Sequence, residues 1–240
     1  MRPDHWAYEN FVGLDVRKTF TSPTGDWGTL NLQLYLTRLE DQPRHPHFFE
    51  GEDDWELVTR ITNFNYTGLF DGRLNFKIGH FEIPYGLDVP VNTNGTLRQL
   101  LTGRNLGVKG DWGVGINGTL PDFKYELTLS NGTGNELNLG ADSYVIAGRI
   151  GTPDDQETYL GTPGLGLSGF YGDVLGKKGI VNRWRAGIDA ITYVGPFTLL
   201  GEISAGEDEG DSILNSLLEV NRSNSSETVS YTHLTLPTNG

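Results

Sequence analysis

The segment KIGHFEIPYGLD, from Lys77 to Asp88, alternates polar and apolar residues and then meets a proline and a glycine. Successive side chains of a β-strand point to opposite faces, so Ile78 would lie on one face and Lys77 on the other. Pro84 has no backbone N–H to donate and Gly86 permits a sharp turn, so the strand is expected to end there. The segment therefore predicts a strand with one apolar and one charged face that runs into a long polar connection.

The same alternation with a period of two recurs along the chain, often over more residues than the roughly five or six of a usual globular strand. It predicts ten strands, at residues 12–20, 30–36, 56–66, 73–79, 105–119, 123–130, 144–150, 165–172, 183–194 and 197–206. In the stretch 105–119 the alternation places Leu106 and Val108 on the apolar face, together with Trp112. A helical period appears only in DSILNSLLEV, residues 211–220, and no repeat or linker divides the chain, which indicates one domain.

The predicted connections alternate in length. Short ones lie at 67–72, 120–122 and 194–196, with 21–28 slightly longer. Long polar ones lie at 38–54, 84–104, 131–142 and 174–182. Short and long connections alternate along the chain except at 152–163, which is long where a short turn is expected. Long strands with short turns on one side and long loops on the other are typical of an outer-membrane β-barrel.

This interpretation assigns an environment to each face of the strands. Lipid cannot hydrogen-bond to backbone groups, so a sheet crosses a membrane only as a closed antiparallel ladder. The apolar face then contacts lipid and the charged face lines a water-filled lumen. Aromatic residues near strand ends would form the interfacial girdles; these are Trp27, Trp55, Phe81, Tyr85, Phe123, Tyr144 and Phe197.

Composition limits the classes of partner and chemistry. Acidic residues outnumber basic ones by 31 to 18, giving a formal net charge of −13, which argues against nucleic acid as a partner. The chain has no cysteine, which excludes disulfides, thiolate metal sites and a cysteine nucleophile. It has no apolar run long enough for a transmembrane helix.

A short motif follows the opening strand. Gly79, Phe81, Pro84, Tyr85, Gly86 and Leu87 spell G-x-F-x-x-P-Y-G-L, which resembles a signature of the phosphate-selective porin O and P family and its general-porin relatives. The resemblance implies a sixteen-stranded barrel in the bacterial outer membrane, assembled as a homotrimer, with an inward-folded loop that narrows the lumen. The 17 residues from Asp88 to Arg104 would form that constriction loop, with Arg98 and Arg104 as candidate residues for contacting anions.

The predicted lumen wall is mildly basic. Its nine bases are Arg17, Arg60, Arg73, Lys77, Lys109, Lys124, Arg149, Arg183 and Arg185. Its five acids are Asp15, Asp111, Glu126, Asp189 and Glu202. Rings of charge set ion preference in pores, so weak selectivity for anions is one expectation. The alternative is that these charges pair across strands and leave a non-selective pore.

These observations favour a porin that passes small anions or hydrophilic solutes passively, without cofactor, metal or enzymatic chemistry. His45 and His47 lie near several acids, but their spacing matches no closed zinc site and indicates a solvated loop. Two other functions stay open. One is a non-channel outer-membrane barrel, such as an adhesin or structural protein. The other is a soluble β-sandwich that binds carbohydrate on an aromatic platform, for example Trp112 and Trp184.

Both ends of the chain are interpreted separately. Residues Val229 to Thr238 read VSYTHLTLPT, which resembles the conceptual translation of a transposase-end sequencing adapter. We therefore divide the chain into an incomplete outer-membrane barrel domain at 1–228 and a non-native tail at 229–240. If the short connections lie on the periplasmic side, residues 1–10 belong to an outer loop. An upstream strand and a signal peptide are then expected before Met1.

Overall fold

The computed structural model describes residues 8–40, 55–86, 106–138, 140, 142–153, 164–176, 179–194, 197–209, 211–216, 221–223, 226–229 and 233–235. Leu87, Arg98, Arg104, His45 and His47 lie outside these ranges.

Ten long strands form one antiparallel sheet in which each strand pairs with the next one along the chain. They are β1 (Tyr8–Ser22), β2 (Gly25–Glu40), β3 (Glu56–Leu69), β4 (Leu74–Glu82), β5 (Gly110–Thr119), β6 (Lys124–Ser130), β7 (Val145–Gly151), β8 (Gly164–Gly176), β9 (Gly179–Val194) and β10 (Phe197–Asp208). This confirms the all-β, antiparallel architecture and each of the ten predicted strands.

Four short strands follow β10 in the sequence. They are β11 (Asp211–Ser216), β12 (Asn221–Ser223), β13 (Ser226–Val229) and β14 (His233–Thr235). The helical period at 211–220 was misleading for residues 211–216, because these form β11 and pair with β10 through six residue pairs; residues 217–220 lie outside the described ranges. Backbone pairing with the available edge of β10 outweighs a weak helical pattern.

The two faces of the sheet differ in the way that the alternation predicts. Leucine, isoleucine and valine side chains are exposed along one face, for example Ile78, Leu167 and Ile188, which are 59%, 61% and 61% exposed. Polar and charged side chains are buried on the other face, and Asp189 is only 1% exposed. A soluble protein buries its apolar face, so this arrangement is the reverse of a soluble core.

The sheet is curved so that the polar face is concave. The Tyr85 hydroxyl, three residues beyond the end of β4, hydrogen-bonds the Ser204 hydroxyl on β10. β4 and β10 are six strand spacings apart, which would be about 29 Å in a flat sheet. Three extended residues span only about 10 Å, so the sheet must bend for this contact to form. We call the concave polar side the inner face and the apolar side the outer face.

Several predicted boundaries were wrong. Residues 8–10, expected in an outer loop, belong to β1, and residues 25–28, expected in the connection 21–28, belong to β2. The segment 174–182 was expected to form a long loop, but β8 continues to Gly176 and β9 begins at Gly179, and these two glycines are paired. A glycine with φ of +122° at position 179 suits a tight reversal that other residues rarely adopt. The strand expected from residue 105 begins only at Gly110.

Candidate channel lining

Asparagine side chains form a hydrogen-bonded row across the inner face of β2 to β5. The Asn31 amide donates to Asn63 Oδ1 at 3.2 Å. The Asn75 amide donates to Asn117 Oδ1 at 3.0 Å, and the Asn117 amide donates to Asn65 Oδ1 at 3.1 Å. The asparagines add uncharged polar groups to this part of the wall.

Ion pairs line the inner face further along the sheet. Lys77 on β4 pairs with Glu126 on β6, and the two side chains meet across β5. Arg149 on β7 and Asp189 on β9 meet across β8, with Arg149 Nε 3.0 Å from one carboxylate oxygen and Nη2 2.5 Å from the other. This geometry is bidentate, which is the strongest arrangement of an arginine and a carboxylate.

Two arginines of β9 share one acid at the end of β10. Arg185 Nη2 lies 2.7 Å from Asp208 Oδ1, and Arg183 Nε lies 3.4 Å from the same oxygen. Arg185 is almost fully buried and also donates to the Trp184 and Glu207 carbonyl groups. Lys109 Nζ lies 3.3 Å from a carboxylate oxygen of Glu82. This ion pair joins the last residue of β4 to the segment that precedes β5.

The beginning of the β4–β5 connection is fixed to the opposite wall. Besides the contact of Tyr85 with Ser204, the Gly86 N–H donates to the Ser168 hydroxyl on β8 at 3.0 Å. Gly187 on β9 provides space for the tyrosine ring, since a Cβ there would lie 2.6 Å from the Tyr85 hydroxyl. The described start of this connection therefore lies against the inner face.

An apolar cluster covers part of the inner face beneath this connection. Its members are Ile83, Tyr85, Leu106, Val108, Val145, Ala147, Phe170 and Val174. Leu106 and Val108 were expected on the lipid-facing side, and that expectation was wrong. Residues 106–109 precede β5 and do not belong to a strand, so the alternation does not apply to them and both side chains lie in the cluster.

The aromatic residues predicted to form girdles differ in exposure, and for two of them the prediction was wrong. Trp27, Trp55, Phe123 and Tyr144 are exposed near strand ends. Phe81 and Tyr85 are instead buried, because Phe81 lies under the Lys77 ammonium group on the inner face and Tyr85 turns inward beyond β4. The side chain of Phe197 lies outside the described set.

Asp111, at the start of β5, holds the β6–β7 loop in place. Its buried carboxylate accepts backbone N–H groups from Trp112 at 2.9 Å, Thr133 at 3.2 Å and Gly134 at 3.1 Å, and also from Gly132. Gly132 and Gly134 have φ of +75° and +72°, which allows consecutive N–H groups to converge on one anion. Asp111 therefore positions the β6–β7 loop and is not a free charge of the lumen.

The remaining predicted lining residues occupy several positions. Asp15, Arg17 and Arg60 lie on the inner side of β1 and β3, where Asp15 accepts a hydrogen bond from the Tyr35 hydroxyl at 2.8 Å. Lys124 begins β6 and Glu202 lies buried on β10. Arg73 lies in the turn before β4, exposed and outside the strand in which it was expected. Asp208, which the alternation did not single out, is the acid that the β9 arginines share.

Replacing Gly187 with alanine should weaken the anchor of Tyr85. The added Cβ would lie 2.6 Å from the tyrosine oxygen and 3.0 Å from Cζ, and overpacking of this kind costs about 1–3 kcal/mol. Urea unfolding in detergent micelles, followed by circular dichroism, measures the loss. Gly201→Ala is the control, because its Cβ would have no neighbour within 4 Å.

A second variant isolates the anchor as the cause. Tyr85→Phe removes the atom nearest to the new methyl group, so Gly187→Ala should cost less in that background than in the wild type. Equal costs in both backgrounds would contradict the packing described here.

Comparison with known proteins adds little beyond this geometry. No family model and no curated protein matches the sequence. Among solved structures, a BenF-like porin from Pseudomonas fluorescens Pf-5 aligns with 93% of this chain and 63% of that chain, at 10% identity and a TM-score of 0.37. The chain thus spans less than two thirds of that porin. The assignment of the fold rests on the sheet itself, and membership of the phosphate-selective family stays a prediction.

The described residues contain no helix with the length and hydropathy needed to cross a membrane. Within the same ranges, no group of three or more histidine, aspartate or glutamate side chains is placed to bind a metal ion.

Proposed function

We propose that this chain forms the wall of a water-filled channel in the bacterial outer membrane, through which small hydrophilic solutes and ions diffuse passively. The observation that carries the proposal is the reversal of the two faces: apolar side chains are exposed on the outer face, and charged side chains line the concave inner face. Lipid would cover the first and water would fill the second. Passive diffusion requires neither cofactor nor catalytic group.

The same arrangement disfavours the soluble sandwich. A sandwich packs the apolar faces of two sheets together, whereas isoleucine and leucine side chains on β4, β8 and β9 are exposed. Trp112 and Trp184 lie on β5 and β9, four strands apart, and do not form a common platform.

The proposal includes a weak preference for anions. The predicted wall has nine bases and five acids, but Lys77, Lys109, Arg149, Arg183 and Arg185 all lie in ion pairs. Paired charges act on a passing ion as dipoles, so only a small excess of positive potential is left. Assembly as a homotrimer, which the resemblance implies, stays a prediction.

Planar-bilayer recording on the full chain, refolded in detergent, tests this function. We expect discrete ohmic current steps in KCl, and a reversal potential in a salt gradient that gives a chloride-to-potassium permeability ratio slightly above one. Protein unfolded in urea before addition is the control. Stable insertion without current would indicate the non-channel barrel, and a folded chain soluble without detergent would indicate the sandwich.

A further inference from the structure

Four aromatic rings lie together on the outer face beside the β1–β2 turn. They are Phe20 on β1, Trp27 on β2, and Phe64 and Tyr66 on β3. The Trp27 ring centroid lies 5.1 Å from that of Phe20 and 6.1 Å from that of Phe64. It lies 6.2 Å from that of Tyr66. Phe64 and Tyr66 flank Asn65, whose side chain belongs to the asparagine row of the inner face, so their rings lie on the outer face. We call these four residues the aromatic cluster.

The aromatic cluster presents two hydrogen-bond donors to its surroundings. Neither the Trp27 indole N–H nor the Tyr66 hydroxyl has a hydrogen-bond partner among the residues that the structure describes. The Trp112 indole differs, because it donates to the Asn135 carbonyl oxygen at 2.8 Å. At a membrane interface, tryptophan and tyrosine keep their rings in the apolar layer and direct their polar ends to the headgroups. These two donors are therefore available to a lipid headgroup.

Lys18 adds a positive charge to the outer face next to the aromatic cluster. It continues the exposed apolar series of β1 that ends at Val16, and its paired residue on β2 is Leu30. Leu30 pairs in turn with Phe64, so Lys18 and this ring belong to one row across the outer face. Phe20 follows Lys18 by two residues, which is about 7 Å along the strand, and an extended lysine side chain is roughly as long. The ammonium group can thus reach the level of the cluster.

The described part of the chain supplies no counter-ion for Lys18, which forms no ion pair there. Asp26, the acid of the same hairpin, accepts a hydrogen bond from the Thr21 hydroxyl at 2.8 Å. An unpaired ammonium group on a lipid-covered face is costly, so a lysine near the end of a strand extends toward the headgroups. Phosphate groups of anionic lipids provide negative charge at that depth.

We propose that Lys18, together with the Trp27 indole and the Tyr66 hydroxyl, binds the phosphate of an anionic phospholipid headgroup. The acyl chains of this lipid would lie along the rings of the aromatic cluster. The inference goes beyond passive diffusion through a channel, and it rests on the part of the proposed function that places the outer face in lipid. The charge of the site carries the choice of partner, because the ammonium group and both aromatic donors complement an anion.

Native mass spectrometry of the full chain, refolded in detergent and titrated with phosphatidylglycerol or phosphatidylcholine, tests this site. The wild type should bind phosphatidylglycerol about fivefold more tightly, the effect expected of one basic residue beside an anionic headgroup. Lys18→Gln should lose most of this preference, and Lys18→Arg should keep it. Trp27→Phe keeps a ring in the cluster but loses the indole N–H, so it should weaken the binding of phosphatidylglycerol by about twofold or more.

Arg17→Gln is the matched control, because it removes a positive charge from the adjacent residue, whose partner Asn31 belongs to the asparagine row of the inner face. It should keep the wild-type preference, and heat-modifiable gel mobility checks that each variant folds. A full preference in Lys18→Gln, or an equal loss in Arg17→Gln, would overturn the inference. Competition by an equal concentration of inorganic phosphate would also overturn it, since the site would then bind a free ion.

Two further outcomes separate this site from other functions of the chain. A wild-type oligomer that dissociates in Lys18→Gln without any lipid preference would assign this face to a second copy of the chain and overturn the inference. A wild type that keeps the preference but conducts no current would leave the inference in place and overturn the channel function.

Discussion

Ile188→Arg should prevent stable insertion of the chain into lipid or reduce its stability there by about 2–4 kcal/mol, the cost of arginine on the lipid face of a barrel near the bilayer midplane. Ile188 lies near the middle of β9 and is 61% exposed on the outer face. Its cross-strand neighbours, Leu167 on β8 and Ile203 on β10, are also exposed, so the arginine would have no polar partner beside it.

The matched control places the same charge on the inner face. Gln33 lies in β2, where its cross-strand partner is Asp15, so Gln33→Arg would gain an acidic neighbour on the inner face. We expect this variant to change stability by less than about 1 kcal/mol. Urea unfolding in lipid vesicles measures both variants. If the two substitutions had equal cost in lipid, the assignment of the outer face to the membrane would be wrong.

The outer face could be predicted from sequence because one local rule determines it. Leu167, Ile188 and Ile203 each belong to a strand whose side chains alternate, and alternation fixes the face of every residue once one is known. The ten strands follow from the same rule. The inner face obeys the same rule within the strands, as the asparagine row of β2 to β5 shows.

The rule fails where the chain turns back into the concave space. Tyr85 and Leu106 look like members of strands or girdles in the sequence, yet both pack against the opposite wall. The contact of Tyr85 with Ser204 joins residues 119 positions apart and depends on the curvature of the whole sheet. Gly107 and Gly187 lie where these contacts form, but a glycine in the sequence does not identify the residue that packs against it.

The pairing of charged side chains is the second property that could not be predicted from the sequence. The count of nine bases against five acids was available, but which acid compensates which arginine depends on strand register. Arg149 and Asp189 are separated by 40 positions and meet only because β8 lies between their strands. Asp208 was not among the predicted acids, although it contacts two of the predicted bases.

Gly79→Ala should be one of the most damaging small substitutions in the sheet. Gly79 lies inside β4 with φ of +124°, a conformation that costs other residues roughly 1–3 kcal/mol. A Cβ at this position would clash with the Thr62 carbonyl oxygen and lie 2.9 Å from Asn63 Cα, both of them backbone atoms of the paired strand β3. Backbone atoms in a sheet cannot move aside as a flexible side chain can, so overpacking adds roughly 1–3 kcal/mol more.

Together these effects amount to about 2–6 kcal/mol, which is a large part of the stability of a typical domain. Gly169→Ala on β8 is the control, since its Cβ would have no neighbour within 4 Å, and it should stay within about 1 kcal/mol of the wild type. Heat-modifiable gel mobility and urea unfolding distinguish the two variants. A Gly79→Ala protein as stable as Gly169→Ala would mean that β3 and β4 do not pair in this register. In that case the first glycine of the G-x-F-x-x-P-Y-G-L motif would not be required by the close approach of two strands.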